Sequence, residues 1–260
     1  MRFPTDLPLK IVLLGVGGTG GHIAPHLYRL LYALDRPSRL ILCDGDIVEE
    51  KNLIRQNFSP ADLGENKARV LAERYAAVFG LEAEYVSGFV ESLPQLLELI
   101  TPKQWVTPSR TWERNPELVI LIGAVDNNRS RQLCHQAFYA CRDLIYIDSG
   151  NSEFTGQVVC GVRRNGHTLS KPIGGVHPEL LKAADLFPSE RSCAEAALAD
   201  PQSMAANLTA ATAVLDILYN ILTHGENYVR QTDFSTKSVK LQSVLDKRRV
   251  PPVRSRKRAA

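Results

Sequence analysis

Three stretches of this 260-residue chain hold residues whose types and spacing could do chemistry. The first is Gly15-Val16-Gly17-Gly18-Thr19-Gly20, a GxGxxG run between the apolar LKIVLL (9–14) and a stretch with helical apolar spacing (21–34). Glycines there let backbone N–H groups, and the positive end of a helix dipole, approach a phosphate with no Cβ in the way. Asp44 ends the next apolar run, RLILCD (39–44), where a carboxylate can accept a hydrogen bond from a ribose hydroxyl. These residues alone fit a dinucleotide-dependent oxidoreductase and an ATP-using enzyme equally well.

The second and third stretches separate the two. Asp44-Gly45-Asp46 leads into Asn52-Leu53-Ile54-Arg55-Gln56 and then Asp62-Leu63-Gly64-Glu65-Asn66-Lys67. A guanidinium fork and an ammonium after the second strand suit a triphosphate better than a nicotinamide. Gly123-Ala124-Val125-Asp126-Asn127-Asn128 closes another apolar run, and Asp126 is a candidate Mg²⁺ ligand beside the phosphates. Each residue also has a bland explanation: Arg55 in a surface ion pair, Lys67 solvated on a helix, Asp126 as a helix N-cap. All three bland explanations together, in this order along the chain, are a poor account of the pattern.

The elements that must position these groups follow from hydrophobic periodicity. Strands are expected at 9–14, 39–44, 82–88, 117–124, 144–148 and 154–164, and helices at 21–34, 66–79, 93–100, 128–141 and 204–222. Apolar, β-branched runs alternating with helices call for a mostly parallel sheet covered on both faces, an α/β doubly wound, Rossmann-like architecture. Residues 165–201 read as a long functional loop or crossover. Residues 227–244 read as a hairpin around Ser235-Thr236-Lys237. The expected organisation is one domain over 1–246, with its nucleotide-binding half at about 9–150 and a crossover loop, helix and hairpin over 151–246. The stretch 101–116, with three prolines, reads only as a loop.

Composition is that of a soluble globular protein, 44% hydrophobic and 23% charged. No uninterrupted apolar run of about 18 residues occurs, so no membrane partner is expected, and Met1 to Lys10 lacks the pattern of a secretion signal. Five irregularly spaced cysteines with no CxxC pair point away from zinc and disulfides and toward the cytoplasm. Residues 247–260 carry seven positive charges and no negative one, so the body is net negative although the chain sums to +3. That basic tail is expected to be disordered, and it is the only part that would favour nucleic acid.

The series GVGGTG, DGDIVEEKNLIRQ, DLGENKA and AVDNNRSR resembles the ThiF/E1-like family of adenylyltransferases, bacterial type, which activate ubiquitin-like and sulfur-carrier proteins. The resemblance runs from about Lys10 to Arg164. It implies that ATP is attacked at its α-phosphate by the C-terminal carboxylate of a carrier protein or peptide, with Mg²⁺ and no zinc. It places Gly15, Gly17, Gly18 and Gly20 at the phosphates and Asp44 at the ribose. Asn52, Arg55, Gln56 and Lys67 would surround the triphosphate and Asp126 would hold Mg²⁺, with Asp46 and Asn127 among the nucleotide-binding residues. In some members a crossover-loop cysteine then takes the carrier. Cys193 in SERSCAE (189–195) is similar in position, and Arg191 could lower its pKa. The other cysteines are expected to fill the core. The family also suggests a homodimer, for which the 204–222 helix and the hairpin offer surface. The segment ahead of the first strand, which carries an arginine into the partner's site in some relatives, is short here and holds Arg2. By its resemblance and length it is expected to correspond to a single bacterial-type subunit rather than to a eukaryotic-type E1 with its separate cysteine and ubiquitin-fold domains.

Overall fold

The structure, a computed structural model, describes residues 1–106, 114–190 and 202–246. In chain order its first elements are β1 (Leu9–Leu14), α1 (Gly18–Leu34), β2 (Ser38–Cys43), α2 (Lys67–Phe79) and β3 (Glu84–Val86). Next come α3 (Leu93–Ile100), β4 (Gln104–Val106), β5 (Arg114–Pro116), β6 (Leu118–Gly123), α4 (Asn128–Ala140) and β7 (Leu144–Asn151). The last are β8 (Thr155–Arg164), β9 (His167–Ser170), the short α5 (Ile173–Val176), α6 (Met204–His224), β10 (Val229–Ser235) and β11 (Lys240–Leu245).

β1 is buried at all six positions, and its alternation divides the core in two. Leu9, Ile11 and Leu13 pack with Leu27 and Tyr28 of α1 and Val214 and Leu218 of α6. Val12 and Leu14 face the other way, toward Leu96 of α3 and Phe138 of α4. A strand buried on both faces must be central, and β1 pairs in parallel with β2 on one side and β6 on the other. The sheet runs β11-β10-β8-β7-β6-β1-β2-β3, with β9 added beside β8. β3, β2, β1, β6 and β7 are parallel, while β8, β10 and β11 continue the same sheet antiparallel. From β1 the chain winds outward through β2 and β3, and later resumes on the opposite side at β6 and β7. The carboxyl ends of β1 and β6 therefore open a crevice, the place where such sheets bind ligands.

Helix ends are set by local chemistry. Asn66 caps α2 by accepting from Arg69 N at 2.9 Å, and Gly80 ends it at φ +66°. Ser203 caps α6 and Gly225 ends it at φ +65°. α6 is by length and composition apolar enough to cross a membrane. Its Ala210, Val214, Ile217 and Ile221 are instead buried against α1 and the sheet, as in a core helix.

The expected strands and helices are present, with shifted ends. α1 begins three residues early, inside the glycine run, and β3 keeps only three of seven expected residues. The 165–201 stretch is less irregular than expected, since β9 pairs with β8 and α5 follows. The 101–116 loop holds a two-stranded ribbon, β4 with β5. The hairpin forms as β10 and β11, turning at 236–239. Residues 247–260, read as a disordered tail, lie outside the described residues.

Candidate active site

The glycine turn hangs from the carboxyl end of β1. Gly15 takes φ +80°, and a Cβ on it would lie 2.6 Å from Ala124 O, so only glycine fits between the ends of β1 and β6. α1 then starts with Gly17 at its cap and no side-chain cap bond or acidic residue in its first turn. Its terminal N–H groups and dipole are left for a ligand. Asp44 braces the turn, its Oδ2 accepting from Val16 N at 2.8 Å and its Oδ1 from Asp46 N at 2.9 Å. Burial pushes the Asp44 carboxyl up to about 6, against the pull of Lys67.

Lys67 opens α2 and is buried, its Nζ 2.9 Å from Asp46 Oδ2. Asn66 fixes this corner, its Nδ2 donating to Asp44 O at 2.8 Å and Asp46 O at 3.1 Å. The bland account of Lys67 as a solvated helix residue does not hold. Asn52 is buried, its Oδ1 accepting from Glu49 N at 2.9 Å, which shapes the 49–56 turn that presents Arg55 and Gln56. Arg55 donates from Nη1 to Gln202 Oε1 at 3.0 Å, just ahead of α6. Burial lowers its guanidinium pKa and Asp126 opposes that. Among the described residues its hydrogen-bond partner is thus a neutral amide, with the Asp126 carboxylate near enough to act on its charge. His22 meets the Arg55 carbonyl at 3.3 Å, which makes it a support of this turn.

Beyond β6, Asp126 is exposed and Asn127 is buried. The N-cap of α4 is Asn127, whose Oδ1 accepts from Ser130 N at 2.7 Å, so the capping role considered for Asp126 belongs to its neighbour. Asp126 lines the crevice.

These groups surround one cavity of about 450 Å³. Gly15, Gly17, Gly18, Asp44, Asp46 and Asn52 line it from one side. Arg55, Gln56, Lys67, Asp126 and Asn127 complete the wall, so of the expected residues within the described chain only Gly20 is set back, inside α1. Among the described residues, three buried polar atoms around it have no hydrogen-bond partner: Gln56 Oε1, Ser149 Oγ and Asn207 Nδ2. Buried polar groups are normally satisfied, so these fit a polar ligand rather than a filled core. A cavity with an uncapped helix N-terminus, a guanidinium, an ammonium and a carboxylate suits a nucleotide polyphosphate with a divalent cation. Among the described residues, no three His, Cys, Asp or Glu side chains gather as a metal site of their own.

The ThiF family profile matches residues 7–258, nearly the whole chain. The chain belongs to the ThiF family. By sequence, no curated protein matches it. Among solved structures it is similar to PaaA, with 17% identity, a TM-score of 0.60 and coverage of 91% of this chain and 64% of that one. It is likewise similar to E. coli MccB crystallised with ATP, with 18% identity, a TM-score of 0.58 and coverage of 91% and 63%. The microcin C7 biosynthetic enzyme MccB in complex with N-formylated MccA gives 17% identity, a TM-score of 0.61 and coverage of 91% and 64%. At these identities the likeness is one of fold, and this chain spans less than two thirds of the length of those chains.

Within this ThiF-family fold, several site residues were not foreseen from sequence. Thr19 Oγ1 donates to Asn151 Oδ1 at 3.0 Å, and Asn151 Nδ2 donates to Asn207 Oδ1 at 2.8 Å. This chain of amides ties α1, β7 and α6 together behind the turn. Arg131 bridges Val125 O at 2.6 Å and Asp148 Oδ1 at 3.3 Å beneath Asp126. Glu91 receives Ser189 N at 3.0 Å, holding the crossover segment beside the cavity. Cys193 and Arg191 lie outside the described residues. Cys43, Cys134 and Cys160 are buried free thiols, and burial pushes each up to about 12, which leaves them inert core fillers.

Proposed function

We propose that this chain uses ATP to adenylate the C-terminal carboxylate of a peptide or small carrier protein. The observation that carries the reading is the convergence of Arg55, Lys67 and Asp126 on the cavity at the uncapped start of α1. Two cations beyond the glycine turn exceed what a nicotinamide dinucleotide needs, which disfavours an oxidoreductase. The other alternative, a non-catalytic nucleotide-binding scaffold that works through the basic tail, is disfavoured by the presence of Arg55, Lys67 and Asp126 together.

In the reaction, a carboxylate oxygen of the substrate forms a bond to the α-phosphorus, and the bond from that phosphorus to the bridging oxygen breaks. Pyrophosphate leaves with the electron pair, and the product is an acyl-adenylate. No proton need move, so the protein's task is positioning and charge neutralisation. The α1 N-terminus and the turn's N–H groups would hold phosphate oxygens, Asp44 would accept from the ribose, and Asn52 and Gln56 would orient the chain of phosphates. Arg55 and Lys67 would offset charge on the α-phosphate and on the departing pyrophosphate. Asp126 would hold Mg²⁺, which would supply positive charge to offset that of the phosphates.

The neighbouring structures of MccB with MccA support a peptide substrate for this chain too. Two further elements belong to the same reading. A second copy is expected to pair with this one, supported by the exposed apolar Met204, Leu208 and Tyr219 on α6 and Leu241 and Val244 on β11. We propose the cytoplasm as its compartment, which supplies ATP and would keep its five cysteines reduced. Cys193 would act after the adenylate forms, as the acceptor of the activated carrier. The test is ATP–pyrophosphate exchange that depends on an added peptide with a free C-terminal carboxylate and is lost in Arg55→Ala.

A further inference from the structure

Arg131 sits three residues into α4, and its guanidinium reaches back under the cavity floor. Nη2 donates to Val125 O at 2.6 Å and Ser149 O at 3.4 Å, while Nη1 donates to Asn128 Oδ1 at 3.3 Å. The two contacts at Val125 and Asn128 bracket Asp126 and Asn127. On its far side Nε meets Asp148 Oδ1 at 3.3 Å, and Asp148 Oδ2 accepts from Tyr146 OH at 2.6 Å. Asp148 and Tyr146 are both wholly inside the sheet. The ends of β6 and β7 are built around this array. A Cβ on Gly123 would lie 3.1 Å from Asp148 Oδ2, and one on Gly150 would lie 3.1 Å from Arg131 Nη2.

Stability alone is a weak reason for such a group. Apolar residues of similar volume often replace a buried ion pair at no cost, whereas a charge left alone inside is strongly unfavourable. What apolar residues could not do is hold a carbonyl on one side of Asp126 and a side chain on the other. We propose that Arg131, oriented by Asp148 and Tyr146, is the positioning residue that holds the Asp126–Asn127 segment against the nucleotide phosphates. The inference rests on the adenylation reading for what the segment does, though not for how it is held.

Arg131→Lys separates positioning from charge. The lysine keeps a positive charge opposite Asp148, but a single ammonium cannot reproduce the fork that spans Val125 and Asn128. Three readouts apply to the full chain: thermal unfolding, amide hydrogen exchange without nucleotide, and calorimetric titration with ATP and Mg²⁺. The expected result is a folded variant in which amides at 126–128 exchange about tenfold faster while those of β1 do not change. ATP affinity should fall about tenfold, the loss expected for one hydrogen bond to a charged group. Tyr146→Phe, which removes only a buried hydroxyl, should shift both readouts the same way by a smaller factor, and it carries the test if the lysine variant does not fold. Folded variants with exchange at 126–128 and ATP affinity within twofold of wild type would overturn the proposal. Failure of the adenylation reading looks different: wild-type protein would bind ATP yet show no pyrophosphate exchange, while the exchange rates at 126–128 would still respond to Arg131→Lys.

Discussion

Lys67 Nζ lies 2.9 Å from Asp46 Oδ2, with the lysine side chain 6% exposed and the aspartate 55%. The aspartate stays wet while it aims a buried ammonium along the cavity wall. The pair thus holds a cation in place for a ligand and contributes little to holding the fold, because a half-solvated partner screens the attraction.

Lys67→Met tests that division. The substitution keeps the buried aliphatic stem and removes the charge, leaving Asp46 free to be solvated. Thermal unfolding should change little, while the rate of pyrophosphate exchange should fall by about 2.7–4 kcal/mol, roughly a hundred- to thousandfold. A variant with wild-type exchange would remove Lys67 from the reaction.

Gly18→Ala should reverse the usual preference for alanine in helices, worth about 1 kcal/mol. A Cβ on Gly18 would overlap Asn207 Nδ2 and lie 2.8 Å from Arg55 Nη1. The variant should melt below wild type and lose the stabilisation that ATP gives, measured as unfolding temperature with and without nucleotide. A rise in melting temperature would show that the contact is loose.

Asp44 gives the site a pH dependence. Its carboxyl is pushed up to about 6 by burial, from an ordinary value near 4. Between about pH 4 and 6 the folded protein therefore holds a proton that the unfolded chain releases, so this group favours folding more as the pH falls and less as it rises. Nucleotide binding runs the opposite way, since only the ionised form offers both oxygens as acceptors. ATP affinity should weaken as pH drops from 7.5 to 5.5 in wild type, and the dependence should be shallower in Asp44→Asn, where only the terminal phosphate of ATP still titrates. Equal slopes in the two proteins would assign the titration to another group.

How much of this was legible in the sequence depends on range. The glycine turn could be read because LKIVLL and the helix beside it are local patterns, and Arg55 and Lys67 because a guanidinium and an ammonium following that turn together suit a triphosphate. Asp126 was found for its place at a strand end, but its neighbour Asn127 proved to be the cap, since Asx capping is decided by backbone angles. Arg131 was quoted within AVDNNRSR without a role. Its partners Asp148 and Tyr146 sit in LIYID, a run that reads as plain buried strand. The contact of Asn151 with Asn207 joins residues 56 apart, beyond any periodicity. β4, β5 and β9 are three or four residues long, too short for a period of two to register.

The central claim is that this cavity joins a carboxylate to AMP, and the direct measurement is exchange of labelled pyrophosphate into ATP by the full chain with Mg²⁺. Candidate peptides and small carrier proteins would be supplied with a free C-terminus, and separately with that terminus amidated. The account predicts exchange that requires the free carboxylate, disappears on amidation and falls at least about a hundredfold in Arg55→Ala. Exchange that proceeds equally with amidated peptides, or survives unchanged in Arg55→Ala, would contradict it.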